Sequence, residues 1–240
     1  MNELSIIIPC ISSIDFLQNF MDELAVYLMA NPSDIDVIVV ANENVQFTSR
    51  LIQYVRTKYP WLKFEIVLRK GGARKFGALA RFGIACSMSR YAVLVSPHGE
   101  DDISLINPML STIRKGYQVI QVNRYARDAD IKRIALRQRI YQAVYRVLTK
   151  ILLGYQISDS TYHFKMFDRV FIQAIGLNQN GYAICPEITL KTLLAKGRVE
   201  YISSATKSVI NKDFKLYREG LGYLWLLVRG AFHRIGVHRF

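Results

Sequence analysis

The first 125 residues alternate between short apolar runs and longer stretches with helical spacing, and this alternation constrains the fold more than any other feature. Strand-like runs occupy Leu4–Pro9, Asp36–Val40, Lys63–Leu68, Tyr91–Val95 and Tyr117–Val122. Helix-like stretches between them cover about residues 15–30, 48–59 and 78–88. Strands that alternate with helices predict an α/β fold with a mostly parallel sheet flanked by helices.

The pattern changes after Arg124. A basic amphipathic helix is predicted over residues 131–153, and a helix over 186–195 and a strand over 199–202 follow a short phenylalanine-containing region. The apolar residues of the first helix that recur at helical spacing are Ile134, Tyr141, Val144, Tyr145, Leu148 and Ile151. We therefore predict one domain over residues 1–216 and an amphipathic tail over 217–240.

Charge points to an anionic partner. The chain has 32 lysines and arginines against 19 acidic residues, a formal net charge of +13. Such a balance suits a phosphorylated substrate, an acidic lipid surface or nucleic acid. The three widely spaced cysteines predict neither a disulfide framework nor a zinc site. With no secretory signal and no apolar run of membrane-spanning length, a cytoplasmic protein is expected.

An acidic loop, Pro97–Asp102, follows directly on the fourth predicted strand. Ligands of open parallel sheets bind beyond the carboxyl ends of the strands, where Glu100, Asp101 and Asp102 can hold Mg²⁺ or Mn²⁺ together with a diphosphate. The alternative is an acidic turn that caps the next helix at Asp102 or Ser104.

A basic, glycine-containing segment, Arg69–Gly77, precedes the third predicted helix. Backbone N–H groups at a helix start, with cations nearby, suit a phosphate group. The segment lacks the ending of a Walker loop and the spacing of a dinucleotide fingerprint. A solvated basic turn is the alternative.

The order of these motifs resembles that of family 2 glycosyltransferases, most closely the polyprenyl-phosphate branch that includes dolichyl-phosphate mannose synthase. The likeness covers about residues 4–216. It rests on the strand Leu4–Pro9, Val37–Ala41, Arg69–Ala85, Tyr91–Asp102, Val122–Tyr125, Ser158–Lys165 and Pro186–Glu187. The resemblance implies a GT-A fold, a Rossmann-like sheet that binds a nucleotide sugar and a divalent metal.

The resemblance also implies a set of site residues. The positions matched to nucleotide and diphosphate binding are Pro9, Asn42, Gly71, Lys75, Glu100, Asp101 and Lys215. Those matched to the metal are Glu100, Asp102 and, by comparison with a variant branch, His98. Those matched to catalysis are Arg124, Asp159 near the acceptor, and Lys165 on an acceptor phosphate. The amide of Asn42, in the place of a base-reading acid, can still pair with uracil or guanine.

The implied activity is inverting transfer of a sugar from a UDP- or GDP-type donor to a polyprenyl phosphate or a glycan precursor, as in polysaccharide or glycolipid biosynthesis. An ionised phosphate needs no general base, whereas a hydroxyl acceptor would need Asp159 or His163. Ser12–Ser13, Ala41–Asn42 and His163 depart from the family pattern. A catalytically silent, glycosyltransferase-like binding or scaffold protein is therefore one alternative. A nucleic-acid-binding protein is another, although no such motif is present.

The tail predicts contact with an anionic membrane surface. Its apolar residues at helical spacing are Leu221, Leu224, Trp225, Val228, Phe232 and Ile235. Its arginines are Arg218, Arg229, Arg234 and Arg239. Such a helix suits the headgroup region of a bilayer, which predicts peripheral attachment from the cytoplasmic side. The alternative is a terminal helix that packs on the domain core or on another subunit.

Overall fold

The computed structural model describes residues 2–11, 14–31, 34–42, 45–71, 75–126, 134–204 and 216–237. Within these ranges one sheet of seven strands has the order β3–β2–β1–β4–β6–β5–β7. The strands are β1 (Leu4–Cys10), β2 (Ile35–Asn42), β3 (Phe64–Arg69), β4 (Tyr91–Leu94), β5 (Val119–Asn123), β6 (Lys165–Asp168) and β7 (Val199–Ser203). The predicted α/β class is confirmed.

Helices cover both faces of the sheet. Those of the described residues are α1 (Ile14–Ala30), α2 (Val45–Lys58), α3 (Phe76–Cys86), α4 (Ile106–Ile113), α5 (Leu136–Leu153), α6 (Arg169–Ile175), α7 (Ile184–Leu194) and α8 (Leu216–Arg234). Each long helix predicted from the sequence is present, with ends that differ by a few residues. The first part of the helix predicted over 131–153 lies outside the described residues.

Strand β6 makes the sheet mixed. The neighbours β3–β2–β1–β4 pair in parallel, and so do β5 and β7. Between the two groups, β6 runs antiparallel to both β4 and β5. The sequence pattern predicts neither β6 nor the following helix α6. Four residues beginning with a lysine and ending with an aspartate carry no readable alternation.

The sheet divides the core into two layers. Side chains alternate along β1, so Ile6 and Ile8 pack with α1, α2 and α4, whereas Ile7 packs on the opposite layer. That second layer contains α7, which is buried along most of its length. Helices α5 and α8 cover it from outside and place Tyr145 and Tyr223 in the core.

The tail helix α8 is anchored by its inner side. Tyr223, Leu226 and Leu227 are buried, and Gly222 and Gly230 allow close approach to Ala183 and Leu153. One side of the tail therefore packs on the domain, as the alternative interpretation expects. None of the described helices is long and apolar enough to cross a bilayer.

Candidate active site at the carboxyl edge of the sheet

Strands β1 to β5 end at one edge of the sheet, which collects the predicted functional side chains. Their last residues are Cys10, Asn42, Arg69, Leu94 and Asn123. Because β6 is antiparallel, it begins at this edge with Lys165, which pairs with Leu94 on one side and Gln121 on the other. The acidic loop after β4 therefore lies beside the segment that leads into β6. Ligands of open α/β sheets bind at such an edge.

Asp101 fastens the acidic loop to the segment before β6. Its carboxylate is fully buried. Oδ2 accepts a hydrogen bond from the Ser96 backbone N–H at 2.7 Å and lies 2.9 Å from His163 Nε2. Oδ1 accepts from the Tyr162 hydroxyl at 2.6 Å. The direct nucleotide contact predicted for Asp101 is therefore corrected: this enclosed carboxylate positions the loop.

The two side chains that contact the Asp101 carboxylate, His163 and Tyr162, both have raised pKa values. Burial alone lowers the pKa of His163, but the carboxylates of Asp101 and Glu100 outweigh burial and hold that pKa above its ordinary value. Burial raises the pKa of Tyr162 well above its usual range, and the negative charge of Asp101 raises it further. Tyr162 therefore remains a hydroxyl donor, and a protonated His163 offsets part of the acidic charge of the loop.

Glu100 and Asp102 stand on either side of Asp101 and are less enclosed. Oδ1 of Asp102 accepts from the Ser104 backbone N–H at 3.2 Å and from its hydroxyl at 2.6 Å. Asp102 thus caps the short 3₁₀ turn Ile103–Leu105, which is the alternative considered for this loop. Oε1 of Glu100 lies 3.6 Å from His163 Nε2.

A divalent cation fits this loop only when a substrate shares it. The described residues hold no cluster of three or more His, Cys, Asp or Glu side chains placed for a metal. Mg²⁺, however, usually takes one or two carboxylates and completes its shell with phosphate oxygens and water. Glu100 and Asp102 offer oxygens of this kind, whereas Asp101 is committed to protein partners. His98, half-buried in the same loop, stays a predicted ligand.

Arg124 and Asp159 meet at the end of β5. Arg124 donates from Nε to Asp159 Oδ2 at 2.7 Å and from Nη2 to Oδ1 at 3.1 Å. The guanidinium also lies 4.1 Å from the centre of the Tyr162 ring, within cation–π range. The Thr161 hydroxyl lies 3.1 Å from Asp159 Oδ1 and 3.0 Å from Gln142 Oε1, within hydrogen-bond distance of both, and so connects the pair to α5.

This pairing fixes the charge of Asp159. Burial alone raises the pKa of Asp159, but the attraction and hydrogen bonds of Arg124 outweigh it and leave the pKa below its ordinary value. Arg124 donates to both carboxylate oxygens of Asp159, and with its lowered pKa this carboxylate binds a proton weakly. Asp159 is therefore poorly suited to the role of general base that the sequence considered for a hydroxyl acceptor.

Lys165 lies inside the protein rather than at the surface of the site. Its side chain is fully buried, and Nζ donates to Gln121 Oε1 at 2.7 Å, to Ser160 O at 2.9 Å and to Thr189 Oγ1 at 2.8 Å. Burial lowers its pKa to about 7. The predicted contact with an acceptor phosphate is corrected, because all three donors of the ammonium are used in joining β5, β6 and α7.

The predicted nucleotide side of the site is formed by the ends of β1, β2 and β3. Pro9 lies in β1, and Asn42 at the end of β2 pairs in register with Arg69. Gly71 has a positive φ of 65° and open space where a Cβ would lie, while Lys75 is exposed at the start of α3. Lys215 lies outside the described residues.

Gly77 serves packing. A Cβ there would lie 2.5 Å from the carbonyl oxygen of Gly181 and 2.7 Å from that of Gln179. The next residue, Ala78, donates its backbone N–H to Asn180 O at 2.9 Å. This glycine lets α3 approach the loop before α7.

Sequence reasoning missed the part played by Tyr162, Thr161 and Gln142. Tyr162 and Thr161 connect the acidic loop to the Arg124–Asp159 pair, and Gln142 extends the network to Ser158 O at 2.9 Å. The one available signal is the density of hydrogen-bonding residues over 158–163, just before an apolar stretch. Such density does not reveal which residues pair.

Solved structures of similar fold were found. Glucosyl-3-phosphoglycerate synthase of Mycobacterium tuberculosis superposes with a TM-score of 0.69 at 13% identity, over 99% of this chain and 82% of that one. The same enzyme in complex with Mn²⁺, UDP and phosphoglyceric acid gives 0.65 at 13% identity, over 99% and 80%. Its complex with Mn²⁺, UDP-glucose and phosphoglyceric acid gives 0.62 at 12%, over 99% and 81%. At this identity the likeness shows the fold, which is GT-A.

Comparison with sequence families identifies the family of the chain. No curated protein matches the chain. The model of the family described as glycosyl transferase family 2 matches residues 5–176, well over half of the 240 residues. That span contains the acidic loop, the Arg124–Asp159 pair and strand β6. The chain therefore belongs to glycosyl transferase family 2.

Proposed function

We propose that this protein is an inverting, metal-dependent glycosyltransferase that transfers a sugar from a nucleoside diphosphate sugar to an anionic acceptor. The family match over residues 5–176 carries the proposal. The similar structures were solved with UDP or UDP-glucose and with phosphoglyceric acid, which supports a uridine donor and an anionic acceptor. The amide of Asn42, at the edge where β2 ends, would then contact the base.

The reaction forms a bond from an acceptor oxygen to the anomeric carbon. The bond from that carbon to the diphosphate oxygen breaks, and its electron pair leaves with the nucleoside diphosphate. Glu100 and Asp102 would hold a divalent cation, which when bound offsets the charge of the leaving diphosphate. Arg124, held in place by Asp159, brings its guanidinium N–H donors to the same edge, and Lys75 adds a positive charge at the start of α3.

We propose a lipid phosphate as the acceptor. Asp159 is bound at both oxygens by Arg124 and does not serve as a proton acceptor. An ionised phosphate oxygen needs none, so this pairing favours a phosphate nucleophile over a hydroxyl group. Such an acceptor places the enzyme at a membrane surface, in polysaccharide or glycolipid synthesis.

A mass-spectrometric transfer assay tests the proposal. The purified chain is incubated with UDP-glucose, other UDP sugars or GDP-mannose, with Mn²⁺, and with either a polyprenyl phosphate or 3-phosphoglycerate. We expect a glycosylated polyprenyl phosphate, lost in Glu100→Gln and kept in the exposed control Glu65→Gln. Product with 3-phosphoglycerate alone would overturn the lipid acceptor and keep the transferase.

The same assay distinguishes an active transferase from a catalytically silent, glycosyltransferase-like protein. Nucleotide binding without transfer to either acceptor would favour a glycosyltransferase-like binding protein. Absence of both binding and transfer would contradict the enzymatic proposal altogether.

A further inference from the structure

The outer side of α5 carries a continuous apolar stripe. Leu136, Ile140, Val144, Val147 and Ile151 recur at intervals of three and four residues, and each is more than half exposed. The side that faces the core is formed instead by Gln142, Tyr145, Thr149 and Leu153. This helix is apolar on two opposite sides, one of which has no protein partner among the described residues.

The tail helix α8 repeats the arrangement. The outer residues of the tail are between 39% and 74% exposed; they are Leu221, Leu224, Trp225, Val228, Phe232 and, directly after α8, Ile235. They fall within about 100° of one another on a helical projection. Tyr223, Leu226 and Leu227 on the opposite side are buried.

The two stripes lie on neighbouring helices. Helices α5 and α8 pack side by side, since the ring of Tyr223 lies 5.8 Å from both Tyr141 and Tyr145. Tyr155, just after α5, donates to Leu193 O of α7, and Gly222 of α8 approaches Ala183 at the start of α7. Tyr145 and Tyr223 lie on the buried sides of their helices, so each exposed stripe points away from this contact and from the core. We call these eleven residues the outer apolar face.

The charges around the outer apolar face are basic. Helix α5 has no acidic residue; Arg137, Arg139 and Lys150 flank the stripe, whereas Arg146 donates to Ile157 O at 3.1 Å. Helix α8 has one acidic residue, Glu219, whose carboxylate turns inward and accepts from the Tyr182 backbone N–H at 2.8 Å. Arg229 belongs to the same helix, and Arg234 at its end turns toward Leu152 O and Gly154 at the end of α5.

We infer that the outer apolar face docks on an acidic lipid surface, with α5 contributing as much as the tail. Apolar and aromatic side chains would enter the boundary between headgroups and acyl chains, and the flanking cations would meet lipid phosphates. A symmetric contact between two copies would instead place these basic flanks against each other. The charge pattern therefore favours the lipid surface.

This inference rests on the proposed function, because it supplies the route by which a lipid phosphate reaches the site. Helix α5 contacts the site directly: Gln142 on its inner side bonds Ser158 O and Thr161, next to the Arg124–Asp159 pair. Helix α5 therefore has part of the outer apolar face on one side and contacts the neighbours of the Arg124–Asp159 pair on the other.

Co-sedimentation of the full chain with vesicles tests the docking without nucleotide or turnover. The vesicles contain equal amounts of phosphatidylcholine and phosphatidylglycerol, or phosphatidylcholine alone. We expect binding to the acidic vesicles at low salt, weaker binding at high salt, and about tenfold weaker partitioning for Ile140→Glu/Val147→Glu. The control is Val26→Glu, an equally exposed valine on α1 across the sheet, which should bind as the unmodified protein does.

A second pair of variants tests whether the basic residues of α5 contribute to vesicle binding. Arg137→Glu/Lys150→Glu should also bind acidic vesicles about tenfold less, since each basic residue near an acidic surface contributes to attraction, while Arg50→Glu/Lys63→Glu should change binding little. If Ile140→Glu/Val147→Glu loses its circular-dichroism spectrum, Val144→Ser/Ile151→Ser replaces it. UDP binding of each variant is measured in parallel, so a loss of nucleotide binding is not mistaken for a loss of docking.

Three results would overturn the inference. They are no binding of the unmodified chain to acidic vesicles, unchanged binding of the folded α5 variants, and a stable dimer in analytical ultracentrifugation that Ile140→Glu/Val147→Glu dissociates. Vesicle binding without sugar transfer would leave the docking intact and count against the proposed reaction alone.

Discussion

Arg124 and Asp159 are joined at two points, by contacts of 2.7 Å and 3.1 Å, with the carboxylate completely buried and the guanidinium about one-fifth exposed. The same two-point geometry occurs at the surface between Arg114 and Glu3, at 2.7 Å and 2.5 Å. The two pairs differ in burial, and burial determines what the loss of one partner costs.

Arg124→Gln should lower the free energy of unfolding by about 3 kcal/mol, because it leaves the buried Asp159 charge without its partner. The matched surface variant Arg114→Gln should cost less than about 1 kcal/mol. Urea denaturation of both variants gives the comparison. Equal losses would contradict the assigned burial.

The pH dependence of this pair follows from the lowered pKa of Asp159. In the unfolded chain the carboxyl titrates near 3.8. The stability that the pair contributes is therefore fully present above that value and is lost as pH falls through the lower native pKa. The difference in free energy of unfolding between the unmodified protein and Arg124→Gln should therefore disappear only in that acidic range.

His163→Gln should destabilise the protein by about 1–3 kcal/mol, since Asp101 stays buried and loses a charged partner. The native pKa of His163 is raised above 6.5. Its contribution is thus complete below that value and disappears as pH rises through the native pKa. Denaturation midpoints of the two proteins should converge at alkaline pH. A constant difference at every pH would indicate that His163 is neutral.

Lys165→Met tests the buried lysine. The native pKa is about 7, against 10.5 for the free group. Between these values the unfolded chain binds more protons, so the stability of the unmodified protein should rise with pH, by at most about 1.4 kcal/mol per unit. Urea titrations across this interval should show that Lys165→Met lacks the rise, whereas Lys150→Met, at an exposed position, retains it.

Gly77→Ala should destabilise the protein by about 1–3 kcal/mol, because the added Cβ would collide with the backbone of the loop before α7. The matched variant is Gly71→Ala, where there is open space and the cost is the positive φ alone, about 1 kcal/mol. Thermal unfolding distinguishes them. A larger effect at Gly71 would contradict the packing role of Gly77.

Sequence periodicity predicted the strands that are continuous and apolar, and with them the mostly parallel sheet. It missed β6 because this strand has four residues and begins with a lysine, although it lies between two other strands of the sheet. Burial of that lysine depends on acceptors from β5 and α7, which lie 44 and 24 residues away in the chain. A local pattern does not contain such information.

Helix α5 shows a second limit of periodicity. The sequence grouped Val144 and Ile151 with Tyr145 as one apolar side, yet the structure exposes the first two and buries the third. Because α5 is apolar on two sides, spacing alone does not tell which side packs inward. At the site, Asp101 and Lys165 were placed at the correct edge of the sheet, but their burial became visible only from their partners.

We propose that this edge of the sheet binds a nucleoside diphosphate together with a divalent cation. Isothermal titration calorimetry of UDP against the full chain, with and without Mn²⁺, tests it most directly. We expect binding that strengthens with Mn²⁺ and weakens about tenfold or more in Glu100→Gln, as loss of a metal contact implies, while Glu65→Gln binds normally. Failure of the folded protein to bind UDP or GDP under either condition would contradict the account.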